Sequence, residues 1–137
     1  DVRLDMMENG VMTGFLPGTP YCNGDDWPDF NNISANGIDY TIATDFNPNC
    51  HINNLSFIGS LLVQRNGVDP YSALVSLTKN AAKSTPRPDG LTQGKIEIGA
   101  VANFNILKSK HWESWCMTPG TSPIHSVCLE GNHIEKL

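Results

Sequence analysis

The sequence has no apolar run near the roughly 20 residues that a membrane-spanning helix needs, so we expect no membrane contact by this chain alone. It also has little positive charge, with 9 lysine and arginine residues against 14 aspartate and glutamate residues and a net charge of -5. Binding to a phosphate backbone needs a basic stripe, and we therefore predict no nucleic-acid partner. Nucleophile-elbow, metalloprotease and phosphate-loop spacings do not occur in the sequence, and we predict neither an enzyme nor a cofactor.

The composition suits one globular domain over residues 1–137. Hydrophobic residues make up 39% of the chain and charged residues 17%, which is typical of a folded protein. A domain of this size buries roughly 65 to 70% of the surface of its unfolded chain. The chain begins at Asp1 rather than Met, which we interpret as a removed signal peptide, a removed anchoring helix or an artificial boundary.

Four cysteines fall into two pairs that are close in sequence. Cys22 and Cys50 form the first pair, Cys116 and Cys128 form the second, and glycine, proline and asparagine surround them. Four cysteines allow three pairings, of which two local loops are the simplest. We therefore predict two disulfides, each contributing roughly 3 kcal/mol, and an extracellular or cell-surface location.

The first 36 residues predict a short helix followed by a long loop. The segment from Val2 to Met12 lacks proline and is rich in leucine, methionine and charged residues, which favours a helical segment over 1–14. Glycine, proline, asparagine and aspartate dominate the residues that follow. We therefore predict a loop over 15–36.

Two segments show the alternation of apolar and polar residues that is typical of strands. Ile38, Tyr40 and Ile42 share one parity and indicate a half-buried strand. The longest alternation runs from Lys95 to Leu107 and predicts a long antiparallel strand with one wet face.

Three further segments between these two are assigned from weaker signals. The apolar run Leu55–Val63 predicts a strand, and the following Asn66-Gly67 pair predicts a hairpin turn. Residues 72–79 fit a strand or a short helix, and we favour the strand. Residues 37–115 are thus predicted to be a β-rich body, with a disulfide loop and tail over 116–137.

These assignments predict an α+β fold of mostly antiparallel β structure. A short N-terminal helix is expected to pack on an antiparallel sheet, with long disulfide-stapled loops around it.

Two sets of residues could hold a metal ion. The first has zinc-ligand chemistry, but its cysteines lie twelve residues apart rather than two to four: Cys116, His125, Cys128 and His133. The second has oxygen ligands suited to calcium in one loop: Asn23, Asp25, Asp26 and Asp29. A disulfide explains the first set and turn formation explains the second, so we predict no metal site.

Histidines offer candidate bases for catalysis at His51, His111 and His125. Their surroundings match no known nucleophile spacing, so we predict no catalytic residue, with a small secreted hydrolase as the third hypothesis.

Trp112 and Trp115 offer aromatic surfaces, and Asp25 and Asp26 offer nearby carboxylates in the acidic loop. The second hypothesis is a secreted domain that uses these four residues to bind carbohydrate or another small ligand. For the tryptophans themselves, we favour packing in the core over a binding surface.

The order of features resembles the soluble head of a type IV pilin or pilin-like minor subunit. Three segments carry the resemblance: Val2–Met12 with Gly14 and Phe15, Lys95–Leu107, and Trp115-Cys116 leading to Cys128. The hydrophobic N-terminal helix of that family does not occur in the sequence.

The resemblance implies a structural subunit or adhesion module of an extracellular filament, and this is the leading hypothesis. Its partners would be other filament subunits or a helix-bearing partner chain. The packing face for such a partner would be Met6, Met7, Val11 and Met12.

Overall fold

The computed structural model describes residues 2–135. Helices in this part of the chain are α1 (Val2–Glu8), α2 (Gly18–Asn23), α3 (Phe30–Ala35), α4 (Leu55–Asn66), α5 (Pro70–Leu77), α6 (Lys79–Ser84) and a 3₁₀ helix (Trp112–Cys116). Strands are β1 (Thr13–Phe15), β2 (Tyr40–Ile42), β3 (Phe104–Leu107), β4 (Ile124–Leu129) and β5 (Asn132–Glu135).

Strands β1 and β2 form a parallel pair. Thr13 pairs with Tyr40 and Phe15 with Ile42, and the Ala43 amide then donates to the Phe15 carbonyl over 3.1 Å. Parallel strands need a crossover connection, which α2 and α3 provide. The carboxyl ends of both strands therefore lie at the same edge of the pair.

Helix α4 occupies the segment predicted as a strand over Leu55–Val63, and that prediction is wrong. The Asn54 side chain accepts a hydrogen bond from the Phe57 amide at 3.1 Å, and Gly67 ends the helix with a φ of +70°. A short apolar run fits a buried helix as well as a buried strand, and these two caps decide for the helix. The predicted Asn66-Gly67 hairpin turn is wrong for the same reason.

Helix α5 likewise occupies most of the segment 72–79, where we favoured a strand. Asp69 caps the helix by accepting from the Ser72 amide at 2.8 Å, and Pro70 lies in the first turn. Proline suits that position because its missing N–H would have no partner inside the helix.

The core beneath the parallel pair is aromatic. The ring centroids of Phe15, Phe30 and Tyr40 lie 5.1 to 5.9 Å apart, and Phe30 is fully buried. Buried Asn80 on α6 donates Nδ2 to the Tyr40 carbonyl over 3.0 Å. The loop predicted over 15–36 is wrong, since α2 and α3 lie there and α3 supplies Phe30 to this core.

The 3₁₀ helix lies between β3 and β4 of an antiparallel sheet of order β3-β4-β5 and contacts α4 of the helical body. Trp115 is buried against α4, so closely that a β-carbon on Gly59 would lie 2.3 Å from its ring. Gln64 on α4 donates Nε2 to the Cys116 carbonyl over 2.8 Å. These contacts hold the connection between β3 and β4 against α4.

Most of the long strand predicted over Lys95–Leu107 is wrong. Only Phe104–Leu107 pairs with β4. Ile96 and Ile98 are 90% and 106% exposed. They lie on the surface in the connection between α6 and β3, which buries neither residue. Residues 116–137, predicted as a loop and tail, hold β4 and β5.

Helix α1 lies inside the helical segment predicted over 1–14, but Thr13 and Gly14 belong to β1. It ends at Glu8, and Gly10 follows with a φ of +75°. The helix contacts β1. Across residues 2–135, none of the helices has both the length and the apolar character that crossing a membrane requires.

Candidate active site

The carboxyl ends of β1 and β2 meet in direct backbone contact. A β-carbon on Gly18, which opens α2 after β1, would lie 1.9 Å from the Thr44 carbonyl oxygen and 3.0 Å from the Cys50 sulfur. The segment Thr44–His51, which we call the β2 loop, therefore lies against the start of α2. Ligands of parallel α/β sheets bind outside the carboxyl ends of the strands, which makes this edge the candidate site.

Asp45 is the unusual residue of the β2 loop. Its φ is +59°, a left-handed conformation that is uncommon outside glycine and costs of order 1 to 3 kcal/mol. The residue is half-buried, and no described residue hydrogen-bonds to or ion-pairs with its carboxylate. A strained backbone thus presents an unpartnered carboxylate at the edge of the parallel pair.

Asn47 holds the β2 loop in shape. Its Nδ2 donates to Thr19 Oγ1 and to the Asp45 carbonyl, both over 2.7 Å. Its backbone exchanges two hydrogen bonds with Cys50, at 2.9 and 3.0 Å, which closes a tight turn. Its Oδ1 accepts from the Asn49 amide at 2.9 Å. The Asn47 side chain thereby links the β2 loop to α2 and also bonds to the backbone within the loop.

Phe46 and His51 flank that tight turn and stack on each other. Their ring centroids are 5.8 Å apart with an interplanar angle of 29°, and Phe46 is 62% exposed. His51, one of the three candidate bases, therefore lies in the same loop as Asp45, whereas His111 directly precedes the 3₁₀ helix and His125 lies in β4.

The predicted packing face lies at the opposite end of β2. Met7, Val11 and Met12 line a cavity of about 530 Å³ together with Asp39 and Lys83. The Met7 sulfur accepts a hydrogen bond from the Asp39 amide at 3.3 Å. Met6 and Met7 are already half-buried by the chain itself, and their contact with a partner chain stays a prediction.

Trp112 and Trp115 do not form one flat surface. Trp115 is buried under α4, whereas Trp112 is exposed and meets Tyr71 edge-on with ring centroids 6.5 Å apart. Asp25 and Asp26 are exposed in the connection after α2.

The four cysteines are free thiols, and the two predicted disulfides are wrong. The Cys116 thiol donates to the Glu113 carbonyl over 3.2 Å, and Cys128 lies inside β4 rather than in a loop. The pKa of exposed Cys22 is raised, first by hydrogen bonding with the Cys50 thiol. Burial raises the pKa of Cys116, so both thiols stay protonated near neutral pH.

Within residues 2–135, no three histidine, cysteine, aspartate or glutamate side chains form a group that could hold a metal ion. Neither the Cys/His set of the C-terminal segment nor the acidic loop after α2 is such a group.

Sequence reasoning missed Asp45, Phe46 and Asn47. The one available signal was their place directly after the strand predicted from Ile38, Tyr40 and Ile42. That signal is informative only if the strand is known to be parallel, because ligands bind at the carboxyl ends of parallel strands.

Comparison with known proteins gives relatives along nearly the whole chain. The chain is 31% identical over 127 residues to the imidazolonepropionase of Haloarcula marismortui, covering 93% of this chain and 30% of that protein. It is 27% identical over 136 residues to the imidazolonepropionase of Cutibacterium acnes, covering 98% of this chain and 34% of that protein. The imidazolonepropionase of Bacillus cytotoxicus is 27% identical over 135 residues, with 96% and 31% covered. No protein-family model matches the chain.

These relatives overturn the pilin resemblance and the hypotheses built on it. The filament subunit and the carbohydrate-binding domain are wrong, because the matching proteins carry the name of an enzyme. The prediction of a non-enzymatic protein is wrong for the same reason. The features that carried the resemblance also differ in the structure, since most of 95–107 is not a strand and Cys116 and Cys128 are not bonded.

The extracellular or cell-surface location is wrong as well. It depended on the two disulfides and on the filament resemblance, whereas the cysteines are not bonded and the relatives are named imidazolonepropionase. The chain spans about a third of the length of these relatives, and over nearly all of its own length it is similar to imidazolonepropionases.

Proposed function

We propose that this chain supplies part of the active site of an enzyme that hydrolyses imidazolonepropionate, with Asp45 as a catalytic carboxylate. The relatives named imidazolonepropionase support the substrate. The observation that carries the role of Asp45 is its strained, unpartnered position at the carboxyl end of β2.

The reaction is the hydrolysis of a cyclic amide. Water adds to the ring carbonyl carbon, the ring C–N bond breaks, and the departing nitrogen takes up a proton. Water is a weak nucleophile, and a carboxylate that accepts its proton during attack contributes typically 10²- to 10⁴-fold to the rate. Such a base needs an oxygen free to accept that proton, and the Asp45 carboxylate is not engaged by any other described residue.

The surroundings of Asp45 support this role. The backbone of the β2 loop is held by the Asn47 hydrogen bonds to Thr19 and to the Asp45 carbonyl, so the backbone of Asp45 has a defined position. A catalytic group that is already positioned loses little entropy in the reaction. The next residue, Phe46, is 62% exposed, so the chain beside Asp45 faces solvent at the edge where ligands of parallel sheets bind. Because the relatives are about three times as long, this chain accounts for one part of the complete site.

The test compares two carboxylates at opposite ends of the same strand in the natural gene product. Asp45→Asn keeps the size of the side chain and removes the base, and we expect kcat for imidazolonepropionate to fall at least 100-fold. Asp39→Asn at the amino end breaks only an exposed ion pair with Lys83, and we expect kcat within threefold of the wild-type value. Thermal unfolding of both variants checks that each is folded. Wild-type-like turnover in a folded Asp45→Asn variant would overturn the proposal.

A further inference from the structure

We propose that the exposed face of Phe46 stacks on the planar ring of the substrate and selects flat, conjugated rings over saturated ones. The inference rests on the proposed function, because Asp45 places the reacting ring at this edge. His51 is a positioning residue that supports Phe46 from the other side.

The exposure of Phe46 is the first observation. Among the described phenylalanines it is the most exposed, at 62%, whereas Phe15, Phe30 and Phe57 pack in or against the core. A folded chain gains from burying an aromatic side chain of this size. Phe46 instead follows directly after Asp45, on the surface of the candidate site.

The rigidity of the β2 loop is the second observation. The paired backbone hydrogen bonds between Asn47 and Cys50 close the turn, and they place the preceding Phe46 opposite the following His51. Asn47 also ties the turn to Thr19 on α2. The ring of Phe46 is therefore held before any ligand arrives, which lowers the entropy lost on binding.

The ring geometry is the third observation. The 29° angle between Phe46 and His51 is close to a parallel stack, so one face of Phe46 is taken by the imidazole and the exposure lies on the rest of the ring. Aromatic rings prefer offset-stacked or edge-to-face neighbours. An imidazolone is a flat five-membered ring, which fits an offset stack, whereas a saturated ring with hydrogens on both faces fits poorly.

The experiment uses imidazolepropionate, a flat ring that lacks the cyclic amide and cannot be hydrolysed, as a binding probe for the natural gene product. In calorimetric titrations, we expect Phe46→Leu to weaken its binding about tenfold, because leucine keeps the apolar volume and loses the flat face. Phe46→Trp should retain binding within threefold. Phe104→Leu is the matched control, since Phe104 is also exposed but lies on β3, and it should bind as the wild type does.

Two further readouts separate stacking from a purely structural role. We expect Phe46→Leu to raise KM for imidazolonepropionate while kcat stays within threefold. A saturated pyrrolidine carrying the same propionate should bind weakly to the wild type and equally weakly to Phe46→Leu. His51→Phe should preserve probe binding, and His51→Leu should weaken it less than Phe46→Leu does.

Failure of this inference differs from failure of the proposed function. An inactive Asp45→Asn variant together with unchanged probe binding in a folded Phe46→Leu variant overturns the stacking alone. Full activity in Asp45→Asn overturns the catalytic role, and a tenfold loss of probe binding in Phe46→Leu would still support the stacking surface.

Discussion

Gly18 and Thr44 meet backbone to backbone at the carboxyl ends of β1 and β2, where a β-carbon on Gly18 would lie 1.9 Å from the Thr44 carbonyl oxygen. No side chain can occupy that space unless the backbone moves. The contact brings the start of α2 against the loop that holds Asp45, and it is therefore a condition for the geometry of the candidate site.

We expect Gly18→Ala to lower the free energy of unfolding by about 1 to 3 kcal/mol, because the methyl group forces two backbone segments apart. Gly14→Ala is the control on β1, where the added carbon would meet only the Thr41 hydroxyl at 3.3 Å, on a side chain that can rotate. Urea denaturation measures both. Equal losses in the two variants would contradict the special role of the Gly18 contact.

The stabilisation of helix α5 by its cap residue Asp69 should depend on pH. Hydrogen bonding from the Ser72 amide lowers the pKa of this carboxyl below its ordinary value of 3.8. A lowered folded-state pKa adds stability above the ordinary pKa, and this contribution is lost as the pH falls through the folded-state value. We expect Asp69→Ala to cost about 0.5 to 2 kcal/mol at pH 7, because it removes the cap.

Asp69→Asn is the matched variant, because asparagine caps a helix about as well as aspartate but does not titrate. Its stability at pH 7 should be near that of the wild type, and its loss of stability between pH 5 and 2 should be smaller. Chemical unfolding at several pH values gives both curves. If the wild type and Asp69→Asn lost the same free energy of unfolding between pH 5 and 2, the role of Asp69 in the pH dependence would be refuted.

The thiols give a direct check of the corrected cysteine assignment. We expect the intact mass of the protein to be unchanged by reduction, and four thiols to react with a thiol reagent after unfolding without reductant. In the folded protein the exposed Cys22 should react first, since Cys50, Cys116 and Cys128 are buried. A mass increase of about four hydrogens on reduction would show that the two disulfides exist and would contradict the corrected assignment.

Local sequence signals located some elements and gave others the wrong type. The helix near the N-terminus was predicted, and the alternation at Ile38, Tyr40 and Ile42 does mark β2. The run Leu55–Val63 was misread because its apolar residues fit two structures, and Asn54 and Gly67 signal a helix only when they are read as its caps.

The alternation from Lys95 to Leu107 shows the limit of periodicity. A period of two indicates which side chains could share a face, but a strand also needs a hydrogen-bonding neighbour. Only Phe104–Leu107 finds one, in β4, and Ile96 and Ile98 are left exposed. An even number of cysteines in loop-like sequence was equally insufficient to predict disulfides, because Cys128 belongs to a strand.

The sequence by itself determined the N-terminal helix and the position of β2, since caps, breakers and short-range alternation act through neighbouring residues. The tertiary structure alone decided that β2 runs parallel to β1, that Gly18 meets Thr44, and that Asp45 follows the strand in a left-handed conformation. These features depend on backbone contacts between segments about 25 residues apart, which local pattern does not encode. The candidate site lies where those segments meet.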